Sequence, residues 1–416
     1  MELVSFAGPR IRTAFCAIAG LLAIAVAASC APVPAPKPAP APVPVATTGT
    51  TAKRPLTHEE PGFLRLSNMP QGRTPVRVGV LLPFSNGSAA TRALAKGMMN
   101  AAQLSLFDAH DPDILLMPGD EGSTPQQAAA AARTLLAQGA EVIVGPLFAS
   151  SATAVAALAR DRGVPVISFS TDRAVAGNGV YLLSFQPETE VERVISYAAT
   201  HGNLKFAALI PRTAYGDHVA DAFRRVTVAE KLQVTAVERF DPGASDLSGP
   251  IKGVVASGAD SILIAQGGTQ LRSIAALLRG SAASTAQPKL LGTGLWADRS
   301  LTSEPVLAGS WFAAPPPISE DAFAAKYRAV FGDAPAQLAP LAYDAISLVA
   351  ALAPGTPYHR FTVPQLTDPN GFQGVTGIFR FNPDGSTDRG LAILVIEPDG
   401  MRVVDPAPRT FQAQGS

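Results

Sequence analysis

Short apolar runs alternate with segments of helical periodicity through most of the chain. The first run, VRVGVLLP at 76–83, is apolar almost throughout, which is typical of a strand buried on both faces of a parallel sheet. Apolar positions at helical spacing follow at 89–107. The alternation continues to residue 169 and begins again at Phe206. The pattern therefore predicts two successive β-α-β series.

The same periodicity locates the individual elements. Predicted strands cover 76–83, 113–117, 142–145, 165–169, 206–210, 234–240, 261–264 and 289–292. Predicted helices cover 89–107, 125–138, 151–162, 217–229, 248–257, 270–278, 323–331 and 341–352. Near the end of the chain, we expect a β-hairpin of strands 377–381 and 391–396 around a turn at 382–385.

One predicted helix carries signals at both ends. Thr124 can cap its start, Pro125 suits its first position, and Gln127 completes a capping box. Gly139 is the expected stop after an Ala-rich run.

Two β-α-β series followed by late helices predict an α/β protein with two doubly wound, Rossmann-like lobes joined by a hinge. In open sheets of this kind, ligands bind beyond the carboxyl ends of the strands. With two lobes, the cleft between them is the expected site.

The first 30 residues predict export. Arg10 and Arg12 precede an apolar run at 13–28 that ends in small residues, which is typical of a secretory signal at 1–29. The end of the run resembles a bacterial lipobox, with Cys30 as the lipidated first residue, although Ala27 stands where Leu is usual. Ordinary cleavage near 25–27, giving a free secreted protein, is the alternative. Ala31 after Cys30 is similar to outer-membrane sorting signals, so we expect a periplasmic protein anchored by lipid to the outer membrane.

A tether is predicted at 30–75. Proline occupies every second position from Pro32 to Pro44, which favours an extended polyproline II segment. At roughly 3.1 Å per residue, 13 such residues span about 40 Å. The segment is interpreted either as a stalk that holds the globular part away from a membrane or as a spacer of no required length.

Composition narrows the classes of function. The chain has 47% hydrophobic residues, 33 basic and 33 acidic residues, and a formal net charge of +0. This balance gives no attraction to nucleic acid or to an anionic membrane surface. The only cysteines are Cys16 and Cys30, so the globular part has no disulfide and folds by burial alone.

No motif for catalysis or metal binding is present in the sequence. The five histidines are scattered, and the sequence has neither HExxH nor a Cys/His cluster. A G-x-S-x-G elbow and a P-loop are also absent. We therefore expect a protein that is not an enzyme and that uses no metal and no cofactor.

Six segments in order carry a resemblance to a known family. They are VRVGVLLPFS (76–85), STPQQAAAAARTLLAQGAEVIVGPLFASSATA (123–154), GVPVISFSTD (163–172), AYGDHVADAF (214–223), ADSILIAQGG (259–268) and GFQGVTGIFRFNPDGS (371–386). Together they resemble type I periplasmic binding proteins of the leucine/isoleucine/valine-receptor kind. The short segments GPLFA and YLLSF are most similar to a lipoprotein branch of penicillin-binding protein activators, which stimulate peptidoglycan synthases.

The resemblance implies lobes made of discontinuous chain. Lobe 1 is expected at 76–186 plus 313–354, and lobe 2 at 187–312 plus 355–406, with a tail at 407–416. The expected crossings lie near Gln186, Ala313 and Pro354.

Three loops that follow predicted strands offer candidate ligand groups, at 84–88, 147–151 and 168–172. Hydroxyls and free N–H groups at a helix start suit an anion such as a carboxylate. The family resemblance assigns Ser150, Ser151, Phe169 and Thr171 to positions that hold the α-carboxylate and α-amine of an amino acid. It assigns Tyr215 to an aromatic wall from the other lobe. The alternative is structural, because Ser and Thr at helix starts are commonly caps.

The full candidate set is Ser85, Ser150, Ser151, Phe169, Thr171, Tyr215, Gln266 and Trp296. One departure from the family is evident, because the stretch 266–270 supplies no carboxylate for a ligand ammonium. Trp296 and Asp298 are candidates to replace it, and Asp120 and Glu121 are expected near the rim of the first lobe.

Two functions follow from these features. The first is a non-enzymatic lipoprotein regulator of peptidoglycan synthesis, with a peptidoglycan synthase as partner. The alternative is the substrate-binding protein of an amino-acid ABC transporter, with a permease as partner. Both bind a small polar, amino-acid-like ligand, contact the membrane only through a lipid anchor and bind no nucleic acid.

Overall fold

The computed structural model describes residues 62–66, 74–110, 113–281 and 287–411. The predicted signal, Cys30 and the proline-rich stretch lie outside these residues. The predicted tether extends to residue 75, but residues 62–66 are not linker. Leu64 pairs with Leu116 through two backbone hydrogen bonds of 2.9 Å, and Phe63 packs against the core.

The described residues form the following elements. The strands are β1 (Val76–Leu82), β2 (Ile114–Asp120), β3 (Val142–Val144), β4 (Val166–Ser168), β5 (Val180–Leu182), β6 (Lys205–Pro211), β7 (Gln233–Phe240), β8 (Ser261–Ile264), β9 (Lys289–Gly292), β10 (Trp311–Ala314), β11 (Phe372–Gly374), β12 (Gly377–Phe381), β13 (Thr387–Arg389), β14 (Ala392–Glu397) and β15 (Gly400–Asp405). The α-helices are α1 (Ala89–Ala109), α2 (Pro125–Ala137), α3 (Ala149–Arg160), α4 (Pro187–Thr200), α5 (Ala214–Ala229), α6 (Ser248–Ala256), α7 (Gly268–Ser281), α8 (Pro317–Phe331), α9 (Ala339–Leu352) and α10 (Val363–Leu366).

The first lobe contains a parallel sheet of order β2-β1-β3-β4-β5. Alternate residues of β1 face opposite sides, so Val78 and Val80 enter one core and Leu81 enters the other. Helices α1 and α9 cover the first side, and α2 and α3 cover the second. The doubly wound prediction is confirmed for this lobe, and burial on both faces explains why β1 is apolar throughout.

The second lobe contains a sheet of order β15-β14-β10-β9-β8-β6-β7. Strands β6 to β10 are parallel to one another, whereas β14 pairs antiparallel to β10 and β15 pairs antiparallel to β14 at one edge. Separate apolar cores lie on the two faces of this sheet. The chain therefore has two doubly wound lobes, as predicted.

The predicted hairpin of 377–381 and 391–396 is wrong. The turn at 382–385 exists, but it joins β12 to β13, and β14 pairs with β10 and β15 in the second lobe. The short strand β13 was hidden by its polar sequence, Thr-Asp-Arg. Alternation alone therefore could not show that a three-residue strand separates the turn from β14.

The assignment of 355–390 to the second lobe is also wrong. Phe361, Leu366, Phe379 and Phe381 pack in the same core as β1. The chain returns to the second lobe between Arg389 and Ala392, not near Pro354. The other crossings lie between Leu182 and Pro187 and between Ala314 and Pro317.

Part of the expected tail belongs to the folded protein. The ring of Phe411 lies 4.6 Å from the guanidinium of Arg380, and Ala407 packs against the second-lobe core. Residues 412–416 lie outside the described part. Among the described helices, none combines the length and apolar character needed to span a bilayer.

Candidate functional site

In both sheets, the carboxyl ends of the parallel strands lie toward the crossings between the lobes. Strand β5 ends at Leu182 and leads directly into the first crossing, and β10 ends at Ala314 and leads into the second. Both sheets are parallel at these strands, so the carboxyl ends of their neighbours lie along the same edges. Loops from both carboxyl edges therefore border the hinge, where this class of fold binds ligands.

The first loop, 84–88, is fixed by the loop that follows β2. The N–H of Ser85 donates to Asp120 Oδ1 at 3.1 Å, and the N–H of Gly87 donates to Ser123 Oγ at 3.2 Å. Ser88 caps α1 by accepting from the N–H of Thr91. Burial opposes ionisation of Asp120, but hydrogen bonds from Ser85 and Gly122 outweigh it and lower the pKa of this carboxyl. The side chain of Ser85 is exposed, and its hydroxyl also hydrogen-bonds to Asp120.

The second loop ends in a helix start that the chain does not cap. The N-cap residue of α3 is Phe148, whose side chain makes no capping hydrogen bond. Among the described residues, no acceptor is recorded for the first-turn N–H groups of Ala149, Ser150 and Ser151. Such groups, together with the positive end of the helix dipole, favour an anion.

The buried side chain of Glu121 fixes this loop through hydrogen bonds. Its carboxylate accepts from the N–H of Leu147 at 2.8 Å and from the N–H of Phe148 at 3.0 Å. The hydroxyl of Ser151 also donates to it. Glu121 is fully buried, and burial raises its pKa, although these hydrogen bonds act in the opposite direction. The residue expected at the rim is therefore a buried support for the two residues that precede α3.

The third loop, 168–172, is joined to the second. Ser168 Oγ donates to the carbonyl of Pro146 at 3.0 Å, and the N–H of Phe169 donates to the same carbonyl, also at 3.0 Å. The side chain of Phe169 is 2% exposed and belongs to the core, so its backbone, not its ring, borders the site. Thr171 is exposed. The structure thus brings the second and third predicted loops together on the first lobe.

On the second lobe, Tyr215 is half-buried in the first turn of α5. Its hydroxyl shares a hydrogen bond of 2.7 Å with Thr293 Oγ1, just after β9. Burial, with the nearby charge of Glu190, raises the pKa of Tyr215, so the phenol stays neutral. Tyr215 therefore forms a wall fixed to the end of β9.

Two carboxylates missed by the sequence interpretation stand beside Tyr215. Glu190, in the first turn of α4, accepts from the N–H of Gly294 at 3.0 Å, and burial raises its pKa to about 7. Glu188 Oε1 lies 3.2 Å from His218 Nδ1, while Glu188 Oε2 is buried without a hydrogen-bond partner among the described residues. The second lobe thus does supply acidic groups, but from the start of α4 instead of from 266–270.

A local signal for these two residues existed. Pro187 at the first helical position, followed by two acidic residues in the first turn, is typical of a helix start. Their place beside Tyr215 and Gly294 depends on how α4 packs against α5 and β9. Only the tertiary structure shows that contact.

The remaining candidates support the second lobe from within. Trp296 is fully buried, and its indole N–H donates to the carbonyl of Gln266 at 2.8 Å. Asp298 caps a short 3-10 helix by accepting from the N–H of Ser300. Trp296 is therefore a core residue under the ends of β8 and β9, and Asp298 does not replace the missing carboxylate.

A separate cavity of about 490 Å³ lies on the first lobe away from these loops. It is lined by Asp108, Phe323, Lys326, Tyr343 and Gln373, among others. Asp108 accepts hydrogen bonds from Lys326 and from Tyr343, at 2.5 and 2.7 Å. In the described part of the chain, no cluster of His, Cys, Asp or Glu has the arrangement of a metal site.

Comparison with known proteins agrees with this architecture. A family described as periplasmic binding protein matches residues 75–401. A putative branched-chain amino acid ABC transporter protein from Rhodospirillum rubrum has 19% identity and a TM-score of 0.71, and the match covers 79% of this chain and 100% of that chain. A branched-chain amino acid substrate-binding protein from Streptococcus pneumoniae, in complex with isoleucine, has 21% identity and a TM-score of 0.57 over 80% and 100% of the two chains.

Other similar structures bind different molecules. A solute-binding protein from Rhodopseudomonas palustris, in complex with 3,4-dihydroxybenzoic acid, has 18% identity and a TM-score of 0.59, over 80% of this chain and 96% of that chain. An uncharacterised protein of Rickettsia prowazekii is 20% identical over 179 residues, which is 43% of this chain and 47% of that protein. The structures share the fold, and the two with a named ligand hold isoleucine and 3,4-dihydroxybenzoic acid.

Proposed function

We propose that this chain, which belongs to the periplasmic binding protein family, is the ligand-binding protein of an ABC transporter and closes its lobes on a small amino-acid-like molecule. The similar structures described as ABC transporter proteins support this proposal over the regulatory one. Members of the family act by binding, and the described residues suggest no bond-making step.

The observation that carries the proposal is the uncapped start of α3. The N–H groups of Ala149, Ser150 and Ser151 are directed as a helix N-terminus directs them, and Phe148 provides no side-chain acceptor. A ligand carboxylate would satisfy these donors with charge-assisted hydrogen bonds. The exposed hydroxyl of Ser150 adds a further donor at the same helix start.

The second lobe offers the opposite charge. Glu188 and Glu190 are buried beside Tyr215, and Glu188 Oε2 has no partner among the described residues. An ammonium group would be attracted to this end of the cleft, and the ring of Tyr215 can pack beside it. A zwitterion with its carboxylate on α3 and its ammonium toward α4 matches both lobes.

The test is calorimetric titration of the purified full-length protein with L-isoleucine, L-leucine, benzoate and 4-hydroxybenzoate. We expect an amino acid to bind and to raise the unfolding temperature, because a ligand that binds only the folded state stabilises it. Ser150→Ala should weaken binding about tenfold, a loss equivalent to roughly one hydrogen bond. Tyr215→Ala should also weaken binding, because it removes the ring that packs beside the ammonium. Thr153→Ala, at an exposed position one turn further along α3, is the matched control.

Absence of binding by all four compounds would contradict the proposal. Equal affinities of the Ser150→Ala variant and the Thr153→Ala control would instead show that the α3 start is not the binding site.

One observation favours the regulatory function as a second candidate. The hydroxyl of Tyr215 bonds to Thr293, and the carboxylate of Glu190 accepts from the backbone N–H of Gly294, so both groups have a partner without a ligand. A head of this kind could act on a peptidoglycan synthase by surface contact alone. Affinity purification from membranes distinguishes the candidates, because a permease should be recovered in the first case and a synthase in the second.

We further propose a periplasmic location with a lipid on Cys30, carried by the apolar run 13–28 and the small residues before the cysteine. Mass spectrometry of the native protein tests this directly. A chain that begins at Cys30 and carries diacylglyceryl mass supports the anchor, whereas an unmodified chain beginning near residue 28 supports a free secreted protein.

A further inference from the structure

Arg389 is a buried charge at the hinge. It is the last residue of β13, directly before the third crossing, and is 6% exposed. Its Nε donates to the carbonyl of Ser184 in the first crossing at 2.9 Å, and its Nη1 donates to Thr376 Oγ1 at 2.8 Å. The guanidinium carbon also lies 4.9 Å from the centroid of the Phe185 ring. One side chain therefore joins two of the three crossings.

Two buried carboxylates, one on each lobe, interact electrostatically with this charge. On the first lobe, Asp344 of α9 accepts from the N–H of Val375 at 2.7 Å and from the N–H and hydroxyl of Thr376. On the second lobe, Glu190 of α4 accepts from the N–H of Gly294. Burial raises the pKa of Asp344 to about 6 and that of Glu190 to about 7, while Arg389 acts to lower both. Arg389 is thus electrostatically coupled to a carboxylate on each lobe.

We propose that Arg389 is a positioning residue of the hinge: its Nε ties the first crossing to the third, its Nη1 ties the third crossing to Thr376 of the first lobe, and its charge favours the carboxylate of Glu190 that holds the second-lobe wall for the ligand. The proposal rests on the proposed ligand-binding function. It adds a residue outside the ligand-contacting loops and a dependence of lobe closure on pH.

The link from Arg389 to the wall is short. Ionised Glu190 accepts from Gly294, and the neighbouring Thr293 bonds the hydroxyl of Tyr215. A Cβ atom at residue 294 would lie 2.5 Å from Glu190 Oε1, so glycine is required for this close approach. Protonation weakens the acceptor, because hydrogen bonds to an ionised group are about twice as strong as neutral ones. The Tyr215 wall should then lose its fixed position.

Several charged or titratable groups face Glu190. They are Glu188 on the same helix, Arg389 from β13 and Tyr215 from α5, with His218 paired to Glu188. Glu188 opposes the ionisation of Glu190, and Arg389 is the cation that favours it. Removing Arg389 therefore leaves Glu190 with less compensation and favours its protonated form at neutral pH.

The expected pH dependence has a definite sign. The folded-state pKa of Glu190 is about 7 and its ordinary value is 4.5, so the folded state binds this proton more tightly than the unfolded state. The stability contribution is greatest below pH 4.5, falls as pH rises toward about 7, and is constant above that value. The stability contribution of Asp344 also falls with rising pH, but its fall ends at about pH 6.

The experiment uses the full-length chain and needs no ligand. Urea unfolding is measured between about pH 4 and 9 for the wild type, Arg389→Met, Arg389→Lys, Glu190→Gln and Asp344→Asn. In Arg389→Met, the pH range over which the free energy of unfolding falls should extend upward by about one pH unit, since an opposite charge nearby shifts a pKa by about that much. Arg389→Lys should show the same pH range of falling stability as the wild type. Glu190→Gln should lose the upper part of this range, near pH 7, and Asp344→Asn should retain that upper part.

A second readout measures the hinge itself. Spin labels at exposed positions 96 on α1 and 228 on α5, in a chain with Cys16 and Cys30 changed to Ser, report the distance between the lobes. We expect the wild-type distance distribution to change between about pH 6 and 8, and that of Glu190→Gln not to change. Arg389→Lys should broaden it, because lysine keeps the charge but lacks the planar fork.

An unchanged pH range of falling stability in Arg389→Met, or a wild-type distribution that does not respond to pH, would overturn the proposal. If Arg389→Met does not fold, Arg389→Lys and Glu190→Gln still decide it through the distance measurement. Failure of all tested ligands to bind would count against the proposed function but would leave these pH measurements independent of that result.

Discussion

The two lobes meet the hinge with different kinds of surface. On the first lobe, the α3 start leaves backbone N–H groups open and presents the exposed hydroxyl of Ser150. On the second lobe, Tyr215 is bonded to Thr293, and Glu190 is bonded to Gly294. Under the proposed function, this difference predicts an order of events, in which a ligand first binds the open donors of the first lobe. The second lobe then closes and exchanges some of its internal bonds for ligand contacts.

The two lobes also differ in what fixes the surface. Glu121 holds the first-lobe loop through two backbone N–H groups, so one buried carboxylate positions the donors. The second-lobe wall rests on the packing of Trp296 under Gly292 and on the polar contacts above it. Three sets of substitutions test this comparison, beginning with the largest expected effect.

Gly292→Ala should disrupt the second lobe. A Cβ atom at residue 292 would lie 2.1 Å from Trp296 Cδ2, and Trp296 is fully buried. Because overpacking a core costs up to about 3 kcal/mol and sometimes more, we expect a loss of about 3 kcal/mol in the free energy of unfolding. Gly249→Ala in α6, where nothing lies within 4 Å, is the matched control and should be neutral or slightly stabilising. Denaturant unfolding of both variants is the measurement, and similar stabilities would show that Trp296 does not depend on this glycine.

Glu121→Ala should have a smaller effect than Gly292→Ala. We expect the free energy of unfolding to fall by about 2 kcal/mol, because the substitution leaves two N–H groups without their acceptor. Asp120→Asn, at the neighbouring exposed position, should cost less than about 1 kcal/mol. Unfolding measurements check the stabilities, and hydrogen exchange at Leu147 and Phe148 checks the location. Unchanged exchange at these two amides in Glu121→Ala would contradict the supporting role of Glu121.

Ser151→Ala and Ser150→Ala form the mildest test, on adjacent residues of one helix start. Ser151 is 2% exposed and donates to Glu121, so its loss should cost about 1 kcal/mol. Ser150 is exposed, and its loss should change stability by less than about 0.5 kcal/mol while reducing ligand affinity. Thermal and denaturant unfolding separate the two effects. Equal stability losses would mean that Ser150 is a structural residue after all.

Much of the fold could be predicted from the sequence. Strands such as β1 and β8 are apolar because both faces are buried, and this pattern needs no tertiary information. Thr124 caps α2 as predicted, by accepting from the N–H of Gln127. The short strands β5 and β13 were missed, since three residues carry little periodic signal. The helix α4 was missed although Val191, Val194, Ile195 and Ala198 follow helical spacing.

On the first lobe, local chemistry predicted the candidate loops, whereas on the second lobe the family resemblance supplied Tyr215 and the acidic residues were missed. A helix start after a strand is visible in sequence, and the α3 loop was located in this way. The roles of Glu121, Glu188 and Glu190 were not, because each bonds or faces residues far away in the chain. Trp296 was taken for a cleft residue because sequence does not show which side of a strand end an aromatic ring will occupy.

The sequence by itself determined two doubly wound lobes with ligand loops at the carboxyl ends of their strands, because alternating burial and helix-start chemistry are local properties. Tertiary structure alone decided which buried carboxylates brace those loops, and where the chain crosses between the lobes for the third time. It also decided that the charge of Arg389 would act on both Asp344 and Glu190. These facts depend on contacts between distant segments, and the energy of such contacts comes from desolvation and charge in a shared interior, which no local pattern records.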